Sequence, residues 1–154
     1  MLAEESEDAR DALTIVRERV KPAQILVPPT AVAELLFQSE NESDYKQREL
    51  AKVALLNLRA EWKFHPATLN TADEARMLAA ARRLLFKGVL PRQEWNDAKI
   101  VSESATLNST LLVSNDSHLL EVDHRWLVII FREFDLPVPL IASPRDLIHK
   151  FYRR

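Results

Sequence analysis

The residues whose types and spacing could do chemistry are Asp97 and Asp116, joined by Glu34 from earlier in the chain. Asp97 lies in the first turns of a helix-forming stretch, Glu94-Trp95-Asn96-Asp97-Ala98-Lys99-Ile100-Val101, which continues through Ala105. Asp116 closes a short apolar segment, Leu111-Leu112-Val113-Ser114-Asn115-Asp116. A helix that feeds a parallel strand runs antiparallel to it, so the helix start and the strand end meet at one edge of the sheet. Ligands of open α/β sheets bind at that carboxyl edge. Glu34 follows the apolar Ile25-Leu26-Val27 and sits early in the next helix, which brings it to the same edge. Three oxygen donors in a chain without cysteine suit a hard cation, Mg²⁺ or Mn²⁺. Such ions polarise a phosphodiester and generate hydroxide from bound water.

Each acid also has a plain structural role open to it. Glu34 and Asp97 would be favoured by the dipole of an early helical turn, and Asp116 could cap a single turn over residues 117–122. What separates the two readings is convergence. Ligands of one cation lie roughly 2.0–2.6 Å from it, so carboxylates more than roughly 10 Å apart would mark an unrelated α/β domain with surface acids. His118, two residues beyond Asp116, could contact a substrate phosphate or be an ordinary surface residue. His65, His124 and His149 show no ligand spacing. Trp95 could stack on a base or fill the core. Arg82, Arg83, Lys87 and Arg92 could line a strand-binding groove or form a solvated helix face.

Positioning the acids requires helices and strands in alternation, and the pattern supplies them. Residues 3–20 place Ala9, Leu13, Val16 and Val20 at helical spacing, with Lys21-Pro22 as the stop. Ile25-Leu26-Val27 is a short strand halted by Pro28-Pro29, after which Thr30 can cap a helix to Phe37. A longer helix over residues 41–60 sets Leu50, Val53, Ala54 and Leu58 on one face, and Trp62-Lys63-Phe64 reads as a strand. Thr71-Ala72-Asp73-Glu74 fits a capping box opening a helix to Phe86. The key helix spans residues 92–107, closed by a left-handed Asn108, and a strand covers Leu111 to Ser114. A helix over residues 123–134, a strand over 138–141 and a helix opened by Ser143-Pro144-Arg145-Asp146 complete the chain. This alternation implies a three-layer α/β/α sandwich with a mainly parallel sheet, as one domain over residues 1–154.

Composition narrows the function. The net charge of −2 gives no support for bulk attraction to nucleic acid, although cations bound at an acidic site would offset its carboxylates. The single glycine, Gly88, removes phosphate-binding glycine loops and the nucleotide cofactors they hold. An acidic start and the lack of an apolar run near 20 residues lead to the expectation of a cytoplasmic protein with no membrane contact.

Three segments together resemble the PIN domain, the nuclease fold of many VapC-type bacterial toxin ribonucleases. They are Ile25-Leu26-Val27-Pro28-Pro29-Thr30-Ala31-Val32-Ala33-Glu34-Leu35, residues 96–105 around Asp97, and Leu112-Val113-Ser114-Asn115-Asp116-Ser117-His118-Leu119. The closing strand and the Ser143-Pro144 helix also match. The resemblance implies a metal-dependent ribonuclease acting on single-stranded or structured RNA. In it Glu34, Asp97 and Asp116 would hold Mg²⁺ or Mn²⁺, and Ser114 would support the site. It also implies a possible antitoxin partner and a possible homodimer. The family opens with a central strand ending in Asp. Here a helix comes first, and neither Asp8 nor Asp11 follows an apolar run. The expectation is therefore a truncated or degenerate member, its first central strand missing and its nuclease activity impaired. The alternative is a non-catalytic module that binds RNA or a partner protein.

Overall fold

A computed structural model describes residues 2–20 and 24–152. The stop expected at Lys21-Pro22 lies outside the described residues. The elements in order are α1 (Leu2–Arg19), β1 (Leu26–Val27), α2 (Pro29–Asn41), α3 (Tyr45–Ala60), β2 (His65–Pro66) and α4 (Thr71–Phe86). They continue with α5 (Trp95–Thr106), β3 (Leu111–Val113), α6 (Ser117–Leu120), α7 (His124–Glu133), β4 (Leu140–Ala142) and α8 (Pro144–Tyr152). The protein is α/β, with short parallel strands between helices.

The strands form two parallel pairs. β1 lies beside β2, with Leu26 opposite His65 and Val27 opposite Pro66. β3 lies beside β4, with Leu111 opposite Leu140, Leu112 opposite Ile141 and Val113 opposite Ala142. Among the described residues no ladder joins the pairs, where the sequence pattern implies one sheet. Strands of two or three residues make only a few bonds each. Helix packing therefore carries the architecture.

The main core is built from Ala80, Ala81 and Leu84 of α4, Ala98, Val101 and Ala105 of α5, and Leu127, Ile130 and Phe131 of α7, with Leu112 of β3 against them. Alanines on α4 and α5 let the two helix backbones approach closely, so α5 is held along its length. A smaller cluster joins Ala12 of α1 to Ala142 of β4 and Leu147 of α8. Here the buried face of α1 runs through Ala12 and Ile15, whereas Ala9 and Val20 are exposed, so the helix is rotated from the expected face. α3 differs similarly. Ala51 and Leu58 are buried while Leu50, Val53 and Leu56 face outward, because the helix packs chiefly on α2.

Several ends differ from the sequence pattern for local reasons. The cap of α4 is Asn70, whose side chain accepts the Asp73 N–H, and Thr71 is already helical. α2 begins at Pro29, one residue before Thr30 and without a side-chain cap of its own. α3 starts later than expected, at Tyr45, where Asp44 accepts the N–H groups of Lys46 and Gln47. The second strand lies at His65–Pro66, after Lys63 takes a left-handed turn at φ 56°. α5 starts at Trp95, three residues inside the expected boundary. Asn108 does adopt the left-handed conformation, φ 55°. Ser143 and Asp146 cap each other at the start of α8 as the motif requires.

Candidate metal centre

Asp97 is the third residue of α5, in the first helical turn. Asp116 is the N-cap of α6, where one carboxylate oxygen accepts the His118 N–H at 2.8 Å. The capping role open to Asp116 is therefore real. Ser114 fixes this turn from both sides. Its hydroxyl accepts the Asp116 N–H at 3.0 Å, and its own N–H bonds to Ala142 of β4. Glu34, one turn into α2, accepts a 2.8 Å hydrogen bond from the Asn96 amide. These elements converge on one cleft of about 240 Å³, whose lining includes Pro28, Glu34, Asp97, Ser114 and Asp116. The carboxyl ends of β1 and β3 thus open onto the same space, as the helix–strand geometry requires.

Two residues join the cluster beyond the three acids: Glu94, and His118, for which the sequence offered contact with a substrate phosphate rather than with a metal. Glu94 stands one helical turn before Asp97, at the N-cap position of α5, yet caps nothing with its side chain. The Nδ1 of His118 lies 3.6 Å from Glu94, 3.8 Å from Asp97 and 3.7 Å from Asp116. Ligand atoms of Glu94, Asp97 and His118 all fall within 4.8 Å of one another. The three-residue spacing of Glu94 and Asp97 was the available signal, since i and i+3 share a helix face. His118 could be found only once α6 had folded.

Asp97 is the most perturbed of these groups. Burial raises its carboxyl pKa from 3.8 to about 6, with further upward pressure from Asp116, Glu94 and Glu34 and only His118 opposing them. Its Oδ2 is buried and has no hydrogen-bond partner. A buried carboxylate oxygen without a donor is costly, and the group that would satisfy it is a cation. The donor set fits a divalent ion on this observation.

Glu103, two turns further along α5, is buried, and both its oxygens have donors. Its carboxylate accepts the Thr30 N–H at 3.1 and 3.3 Å and the Thr30 hydroxyl at 2.6 Å. It thereby caps the N-terminus of α2 from a different helix, and α2 carries Glu34. Trp95 is partly buried against the core with Lys99 over its ring, and Arg83 pairs with Glu133 of α7.

A family model of the PIN domain matches residues 1–125. The chain belongs to the PIN domain family. The matched segment holds all the cleft acids and ends before β4 and α8, short of the full-length likeness expected from the sequence. No curated protein and no solved structure matches the chain. PIN membership gives a nuclease-type fold, and this PIN domain has a group of acidic residues and a histidine able to hold a metal. Among the described residues no helix is long and apolar enough to cross a membrane.

Proposed function

We propose that this PIN domain protein is a divalent-metal-dependent ribonuclease that hydrolyses RNA phosphodiesters. The observation that carries the reading is the unpartnered, buried Oδ2 of Asp97 among like-charged neighbours. Glu34, Asp97 and Asp116 would hold Mg²⁺ or Mn²⁺, which when bound polarises the scissile phosphate and lowers the pKa of a coordinated water. The remaining work falls to the protein. α5 fixes Asp97 against the core, Asn96 orients Glu34, and Ser114 orders the turn that presents Asp116. RNA is the substrate class, and an antitoxin or a second copy is the protein partner, on the strength of the VapC-type likeness.

Helix α1 precedes β1. Asp8 of α1 faces Arg145 of α8 at 3.9 Å, and Asp11 is exposed on the same helix. The test is cleavage of a labelled single-stranded RNA with Mg²⁺ or Mn²⁺, comparing the protein with Asp97→Asn. Chelator-sensitive cleavage that disappears in the variant is expected. Cleavage indistinguishable from the variant, with RNA still retained in a gel shift, would point to the non-catalytic binding module.

A further inference from the structure

We infer that His118 and Glu94 complete the cation site with Asp97, giving it a mixed nitrogen and oxygen donor set that selects Mn²⁺, Co²⁺ or Zn²⁺ over Mg²⁺. The inference rests on the metal-dependent reading above and deepens it. A site of carboxylates alone suits Mg²⁺, while an imidazole donor suits transition ions and is poorly used by Mg²⁺.

The geometry around His118 carries the argument. Its Nδ1 stands 3.6 to 3.8 Å from oxygens of three different carboxylates. None is at hydrogen-bonding distance, which for N–H···O is about 2.7–3.2 Å. An imidazole serving one carboxylate as a hydrogen-bond donor would close on that partner. One nitrogen set back from several oxygens by similar margins is the arrangement of donors around a small ion. First-row ions hold nitrogen and carboxylate ligands at roughly 2.0–2.2 Å, which puts ligands of one ion at most about 4.4 Å apart. The mutual spacing of Glu94, Asp97 and His118, within 4.8 Å, needs only a small contraction to meet that limit.

Two further observations point the same way. Asp97 Oδ2, the atom 3.8 Å from Nδ1, is the buried oxygen with no hydrogen-bond donor. The backbone of His118 is fixed by the Asp116 cap, so the imidazole is presented from an ordered turn.

The experiment is calorimetric titration of the metal-free protein with MgCl₂, MnCl₂ and CoCl₂ at one pH, using wild type, His118→Ala, His118→Gln, Glu94→Gln and Asp97→Asn. Thermal melts check that each variant folds. The visible absorption of bound Co²⁺ is recorded alongside, since it reports the donor set without any RNA. Wild type is expected to bind Co²⁺ and Mn²⁺ at least ~10-fold more tightly than Mg²⁺, and both His118 variants to lose at least ~10-fold for Co²⁺ with little change for Mg²⁺. Their Co²⁺ spectrum should shift as well. If Asp97→Asn abolishes binding while the His118 variants retain wild-type affinities and spectrum, the metal site stands and the histidine assignment is overturned. If no ion binds wild type, the metal-dependent reading fails and this inference fails with it.

Discussion

Helix α5 carries two carboxylates in opposite circumstances. Near its start, Asp97 faces other acids and leaves one oxygen without a donor, while two turns later Glu103 meets the N–H and hydroxyl of Thr30. Desolvation raises both carboxyl pKa values. At Glu103 the hydrogen bonds from Thr30 oppose that rise, and at Asp97 neighbouring carboxylates add to it. A buried acid whose two oxygens both find donors belongs to the scaffold. One left unserved in a cleft is a candidate for chemistry. The same helix thus separates what holds the fold from what the fold presents.

Removing the satisfied acid should produce the larger change. Glu103→Ala would strand the Thr30 N–H at an otherwise uncapped helix start and leave a void between α2 and α5. A loss of about 2–4 kcal/mol is expected in a urea melt. Glu103→Gln keeps an acceptor for Thr30 and should lose less than half of that. If Glu103→Ala unfolds at the wild-type midpoint, the scaffold role given to this carboxylate is wrong.

The unserved acid should respond with the opposite sign. Asp97→Asn removes a charge held among Asp116, Glu94 and Glu34, and is expected to stabilise the metal-free protein at neutral pH by about 1–2 kcal/mol. The melting temperature should rise by roughly 2–6 °C. A destabilised Asp97→Asn would show that the acid is part of the scaffold after all, and the contrast along α5 would collapse.

pH sharpens the contrast. The folded-state pKa of Asp97, about 6, lies above its ordinary 3.8, so the folded protein binds the extra proton between those values. Its contribution to stability is therefore favourable at low pH and is lost as pH rises through about 6. The stability gap between wild type and Asp97→Asn should be wide at pH 7.5 and narrow at pH 4.5, measured without metal. A bound divalent cation reverses the dependence, because it requires the ionised carboxylate, so metal affinity should fall as pH drops below about 6. A gap that stays constant across this range would mean that Asp97 titrates as an ordinary exposed acid.

Element order was readable in the sequence because it depends on local pattern. Proline pairs, capping residues and helical spacing located every helix to within a few residues, and the Ser143–Asp146 cap formed as its motif requires. Which face of a helix is buried depends on its neighbours, and there the pattern misled. Leu50 and Val53 look like core residues, yet both are exposed, since α3 packs chiefly on α2 through another face. The site divides in the same way. Glu34, Asp97 and Asp116 reach one cleft because strand and helix polarity are topological facts. The approach of His118 to Glu94, and of Glu103 to Thr30 across 73 positions, is tertiary packing with no local signature.

Asn96 gives the smallest test and the most specific one. Its amide donates to Glu34 at 2.8 Å from the residue directly before Asp97, so one helical start both carries an acid and orients another from α2. The contact is near the surface, and Asn96→Ala should change stability by no more than about 0.5 kcal/mol. Its effect should appear instead in Mn²⁺ affinity, lowered roughly 3- to 10-fold, because Glu34 would then have to be ordered at the expense of binding. In a Glu34→Gln background the same substitution should have almost no further effect on affinity, since the pair acts through one carboxylate. Full additivity of the two losses would mean that Asn96 does not work through Glu34, and would leave the α2 side of the cleft outside the ion's reach.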